Sequence, residues 1–134
     1  MTFVTFLMTQ NRPININLLK IKLPLSAFLS ITHRISGILI FFLVLPLSIL
    51  AFSELTQNQD SFDNFINMYH TNIGIKFGCI VLILIFQYHI FTGIRHMLMD
   101  FHILNESLSS SYRSAVTTLV LFAINALLTL WVML

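Results

Sequence analysis

Apolar and polar positions fall along this chain in long blocks, not in the short periods of a half-exposed helix or strand. Nineteen residues without Asp, Glu, Lys or Arg separate Arg34 from Glu54, eighteen separate Lys76 from Arg95, and twenty-one follow Arg113 to Leu134. At about 1.5 Å of rise per residue, each block crosses a hydrocarbon core of about 30 Å once flanking residues snorkel. The pattern predicts an all-α membrane protein with three transmembrane helices at about 28–53, 71–101 and 112–133, behind an N-terminal segment of residues 1–27. These make a single membrane-anchor domain over residues 1–134. The polar stretch from 54 to 71, with TQNQD inside it, reads as a loop too poor in apolar residues to form a domain.

Composition strengthens the membrane reading. With 57% hydrophobic and 9% charged residues and a mean hydropathy of +0.87, the chain lacks the polar surface of a soluble domain of its size. Cys79 is the sole cysteine, which excludes an intrachain disulfide and a Cys-ligated zinc or iron–sulfur site built by this chain alone. The chain carries no Gly-rich phosphate loop, no basic run interleaved with aromatics and no evident internal repeat, so nucleotide and nucleic-acid partners are not expected. Residues 1–25 have neither the apolar core of a secretory signal nor an Arg- and Ser-rich presequence, so no cleaved leader is expected.

Charge gives an orientation. Arg12, Lys20, Lys22 and Arg34 gather at the head of span one and Arg95 and Arg113 flank the second connection, while the first connection holds Glu54, Asp60 and Asp63 with Lys76 only at its far end. The positive-inside rule therefore puts the N-terminus on the cytoplasmic or matrix side. Tyr69, Trp131 and Tyr112 suit the interfacial aromatic belts.

Two polar constellations interrupt the apolar blocks. In YHIFTGIRHMLMD, ending span two, His89, Gly93, His96 and Asp100 share one helical stripe while Arg95 and His102 point elsewhere. Ionisable groups at membrane depth are costly and usually have a task. A stripe of imidazole, glycine and imidazole at one-turn intervals suits a flat cofactor, the glycine giving a macrocycle room. In LPLSAFLSITHRISG, a helix beginning near Ser26 after Pro24 brings Ser26, Ser30, His33, Arg34 and Gly37 to one face. A hydroxyl one turn from a fixed cation suits a carbonyl ligand whose oxygens gain charge on reduction, such as a quinone.

Simpler readings stand beside these. His89 could bond a neighbouring helix, Ser30 could back-bond to its own, Arg34 could snorkel as a positive-inside anchor, and His96 could pair with Asp100. Asn125 and Gln87 suit interhelical hydrogen bonds, Gly37 and Gly93 suit close helix packing, and Pro46 suits a bend in span one.

The run RPININLLKIKLPLSAFLSITHRISG followed by YHIFTGIRHMLMD closely resembles the cytochrome b subunit of succinate dehydrogenase, the larger membrane anchor of respiratory complex II. The resemblance covers about residues 11–113 and includes RP near the start, S-x-x-H-R-x-[ST]-G in span one and H-x-x-x-G-x-R-H-x-x-x-D in span two. It implies a non-flavin membrane subunit that anchors the enzyme, with succinate oxidation and its catalytic site on a partner chain. It implies His89 as an axial ligand to the iron of haem b, Ser30 and Arg34 in a ubiquinone pocket, and His33, Arg34 and His96 near the haem propionates. The second axial ligand would come from a smaller anchor, since His70 sits at the far interface. FAD and iron–sulfur clusters would lie on the flavoprotein and iron–sulfur subunits, and the chain would be multi-pass in a bacterial inner membrane or, organelle-encoded, in the mitochondrial inner membrane. A fumarate reductase anchor is the near alternative, and a non-redox scaffold or transporter subunit the distant one.

Overall fold

In a computed structural model, residues 23–105 and 107–134 are described, and almost all of them are helical. Arg12, Lys20 and Lys22, and the RP pair of the N-terminal motif, lie outside the described residues. Helix α1 covers Leu25–Gln57, α2 Gln59–Thr71, α3 Ile73–Asp100 and α4 Leu108–Met133. The three long helices are each apolar enough to cross a membrane, so the chain is an all-α, multi-pass membrane protein.

Local chemistry determines where the helices start and stop. Pro24 is extended and opens α1 with its carbonyl, which accepts from the Ala27 and Phe28 amides at 3.0 and 3.1 Å. The Asn72 side chain caps α3 by accepting from the Gly74 and Ile75 amides, and Ser107 caps α4 by accepting from Ser110. At the end of α3, His102 takes the left-handed conformation that usually falls to glycine. The amides of His102 and Ile103 turn back to the carbonyls of Met99 and Leu98, which closes the helix in a Schellman motif. Within α1, Ile40–Val44 widens into a π-turn immediately before Pro46. Proline lacks an amide and its ring presses on the preceding turn, so the wider turn absorbs the bend expected at that position.

The polar first connection is a helix, which corrects its reading as a loop. Asn58 caps it by accepting from the Ser61 amide at 2.8 Å, and Asp60 sits in its first turn, where a negative charge suits the helix dipole. Phe62, Phe65, Ile66 and Tyr69 recur at helical spacing, so the signal is present in the sequence, though too short to stand out beside the spans. Tyr69 Oη donates to the Met133 carbonyl and Lys76 Nζ to the Leu134 carbonyl, each at 3.0 Å, tying α2 and the start of α3 to the end of α4.

Helix packing is thin and uses small residues. Only Leu29, Val44, Ile80 and Ala115 are buried among the apolar residues described, while Phe42 and Trp131 remain 73% and 85% exposed, as side chains facing lipid do. Ser111, Ala115 and Thr118 form a buried small-residue stripe on α4 that lets its backbone approach its neighbours. Leucine at Ala115, a fully buried site, is expected to overpack that stripe and cost about 1–3 kcal/mol, lowering the thermal midpoint in detergent, whereas Ala115→Ser should leave it near the parent value.

Candidate functional site

The most concentrated chemistry lies where α1 crosses α3. Thr32, His33 and Ser36 on α1 meet Tyr88, Thr92 and His89 on α3 through three side-chain hydrogen bonds. His33 Nδ1 and Thr92 Oγ1 are 2.9 Å apart, as are His89 Nδ1 and Ser36 Oγ. The two imidazoles stack with centroids 4.1 Å apart and planes inclined by 15°, and His96 lies 5.2 Å from His33 in a tilted arrangement.

The direction of each bond follows from counting hydroxyl protons. Ser36 Oγ–H donates to its own helix at the His33 carbonyl (2.7 Å), and Thr92 Oγ1–H donates to the Tyr88 carbonyl (2.8 Å). Each hydroxyl has one proton, so toward the facing imidazole it acts as acceptor. That arrangement pairs with the Nδ1–H tautomer of His33 and of His89, in which Nε2 holds the lone pair. Thr32 Oγ1 donates to the Phe28 carbonyl at 3.0 Å and by the same argument accepts from Tyr88 Oη.

Glycines make the approach possible, and they do so reciprocally. A Cβ on Gly37 would stand 3.2 Å from His89 Cε1, and a Cβ on Gly93 would stand 3.2 Å from His33 Cε1. Each helix thus supplies a histidine, a hydroxyl three residues on and a glycine four residues on, and receives the other helix's imidazole over its own glycine. The motif is H-x-x-[ST]-G, written HRISG in α1 and HIFTG in α3. This short internal repeat corrects the expectation of none, and it brings in Ser36 and Thr92, which the helical stripes alone did not single out. The space over Gly93, expected to give room to a macrocycle, is filled by the His33 ring.

The other expected residues occupy different positions. Ser30 is half-buried and Arg34 exposed on α1, and neither makes a hydrogen bond or ion pair with a described residue. Both remain available to groups outside the chain. Asp100 is exposed, and Arg95 turns away from the histidines toward α4. Gln87 Nε2 donates to Thr129 Oγ1 at 2.8 Å, while Asn125 contributes to that contact only through its carbonyl, which accepts from Thr129. Among the described residues, no three His, Cys, Asp or Glu side chains converge as a metal site, so the histidine cluster does not by itself enclose a bare ion. It offers two imidazoles, His33 and His89, each engaged at Nδ1 and stacked at the crossing, with His96 beside them and the exposed Arg34 guanidinium on α1.

Three apolar helices that bring ionisable histidines together at membrane depth define, by class, a multi-pass membrane subunit with a polar site inside its bundle. The particular family follows from comparison: residues 8–131 match the succinate dehydrogenase/fumarate reductase transmembrane subunit family, and the chain belongs to it. It is 37% identical over 93 residues to the succinate dehydrogenase cytochrome b556 subunit of Coxiella burnetii, covering 69% of this chain and 74% of that one. Against the succinate dehydrogenase cytochrome b560 subunit of Porphyra purpurea it is 33% identical over 115 residues, covering 83% and 88%. Against the corresponding subunit of Reclinomonas americana it is 35% identical over 97 residues, covering 69% and 67%. The chain is accordingly a succinate dehydrogenase cytochrome b-type membrane subunit, part of an oxidoreductase complex.

Two substitutions test the crossing. Ser36→Ala removes the acceptor that fixes the His89 tautomer, so nitrogen NMR of histidine-labelled protein in detergent should show mixed tautomers at His89 with His33 unchanged. Gly37→Val places branched atoms against His89 Cε1 and should cost at least the crossing hydrogen bond, about 0.6–1.7 kcal/mol, measured as lost stability in mild denaturant.

Proposed function

We propose that this chain serves electron transfer and carries no succinate chemistry of its own: it anchors a flavoprotein and an iron–sulfur subunit, shares a haem b with a second, smaller anchor, and forms part of a ubiquinone-reduction site. The observation that carries this reading is the 2.9 Å contact between His89 Nδ1 and Ser36 Oγ at mid-span, which engages one ring nitrogen and leaves Nε2 to serve as the ligand atom. Ligating histidines commonly donate their other ring N–H in this way, which orients the ring and raises its basicity. The donor set fits a b-type haem in which this chain gives one axial nitrogen and a partner gives the other. His33, His96 and Arg34 would meet the propionates, and the group when bound would supply a one-electron acceptor and donor within the membrane.

This chain's own residues do the rest. Ser30 and Arg34, without a hydrogen bond or ion pair to any described residue, would face a quinone at the end of the bundle where α1 begins. The Ser30 hydroxyl would donate to one carbonyl oxygen. The Arg34 guanidinium would stabilise the negative charge that develops there and favour protonation of that oxygen. The same end collects Arg95 and Arg113, which supports its placement on the cytoplasmic or matrix side of an inner membrane, mitochondrial or bacterial. The names of the relatives favour the succinate-oxidising direction over a fumarate reductase anchor.

The decisive experiment purifies the complex through this chain and compares three forms. His89→Leu should abolish the reduced-minus-oxidised b-type spectrum. Arg34→Ala should keep the soluble subunits bound and lower succinate-dependent reduction of a ubiquinone analogue by roughly 100-fold. A His89→Leu protein with an unchanged spectrum, or an Arg34→Ala complex with parent activity, would overturn the respective assignment.

A further inference from the structure

A second polar feature faces away from the histidine crossing, between α3 and α4. Arg95 is 2% exposed, yet it sits in a segment otherwise made for lipid. Its described partners are all neutral. Nε donates to Ser114 Oγ at 3.2 Å, and Nη2 donates to the Ser111 carbonyl and Ser111 Oγ at 3.1 and 3.2 Å. Among the described residues no carboxylate pairs with it, and Nη1 has no acceptor; Glu106 lies outside the described residues. A buried cation satisfied only by hydroxyls and a carbonyl lacks the counter-charge that such groups normally hold.

Arg95 lines a cavity of about 760 Å³ that has a graded wall. Asn105, Ser110 and Arg113, with Leu98 and Leu104 beside them, form its part nearest the connection between the helices, and Phe91, Ile94 and Leu121 form its part deeper along the spans. Among the described residues, no acidic one lines it. Two cations and hydroxyls above an apolar wall match a ligand with an anionic head and hydrocarbon chains. A free inorganic anion would leave the apolar wall without a partner. We propose that this cavity seats an anionic phospholipid, its phosphate held between Arg95 and Arg113 and its acyl chains lying along the α3–α4 groove. The inference rests on the membrane placement of the chain and is independent of the haem and quinone assignments.

The test uses the purified protein with whatever subunits accompany it, stripped of lipid in detergent and offered equal phosphatidylglycerol and phosphatidylcholine. Native mass spectrometry then counts which lipid stays bound. The parent protein should retain the anionic lipid preferentially. Arg113→Gln should lower that preference about fivefold, the effect of one cation at a membrane surface, while Arg113→Lys retains it. Because Arg95 also ties α3 to α4, the exposed Arg113 carries the test. Lys76→Gln, which removes one charge near the opposite end, should leave the preference unchanged. An equal preference in the parent and Arg113→Gln would overturn the proposal. So would an equal fall in Lys76→Gln, or millimolar inorganic phosphate displacing the lipid.

Discussion

The crossing of α1 and α3 depends on two hydroxyls that each make two bonds with one proton. Ser36 and Thr92 commit that proton to a carbonyl of their own helix and so present a lone pair to the imidazole opposite. The polar order at this crossing follows from that commitment. Each imidazole is held at Nδ1, the rings stack, and the glycines must stay bare so that the helices lie close enough for the bonds to form. In hydrocarbon, hydrophobic burial supplies little force between helices, because lipid tails are as apolar as the side chains they replace. Three directed hydrogen bonds at about 0.6–1.7 kcal/mol each are then a large share of what holds this pair together.

The two faces of α3 divide the work. One face, with His89 and Gly93, is given to α1. The opposite one, with Arg95, is given to α4 through Ser111 and Ser114. An ordinary soluble helix would use such a pair of faces for a hydrophobic core. Here the described core amounts to four buried apolar residues, and the contacts that specify geometry are polar. Ser30 and Arg34 stand outside this scheme, with no hydrogen bond or ion pair to a described residue.

Much of the architecture was legible in the sequence because an uncharged run of about 18 residues or more is rare outside a helix that crosses a bilayer. The three long helices stand where the runs of 19, 18 and 21 residues lie, although α1 starts at Leu25 and continues to Gln57, past the expected limits of 28 and 53. Hydropathy reports where a chain enters lipid, and capping at Pro24 reports where a helix begins, and the two need not coincide. Helix α2 was missed because its apolar stripe is only two turns long. At the site, the helical stripe of His89, Gly93 and His96 was readable from period alone. Their partners were not, since period says which residues share a face and never which face meets which. The HRISG and HIFTG repeat could have supplied that link, because two copies of one device can each serve as the other's receptor.

Reciprocity has a consequence for how the chain finds its register. Because both copies run N- to C-terminal along antiparallel helices, sliding α3 by a single position rotates His89 and Thr92 together by about 100° and breaks both bonds at once. A near-miss alignment keeps nothing. The crossing is thus a two-key lock whose intermediate settings are empty. A newly inserted α3 must either find the one docking that satisfies both histidines or remain loosely held in lipid.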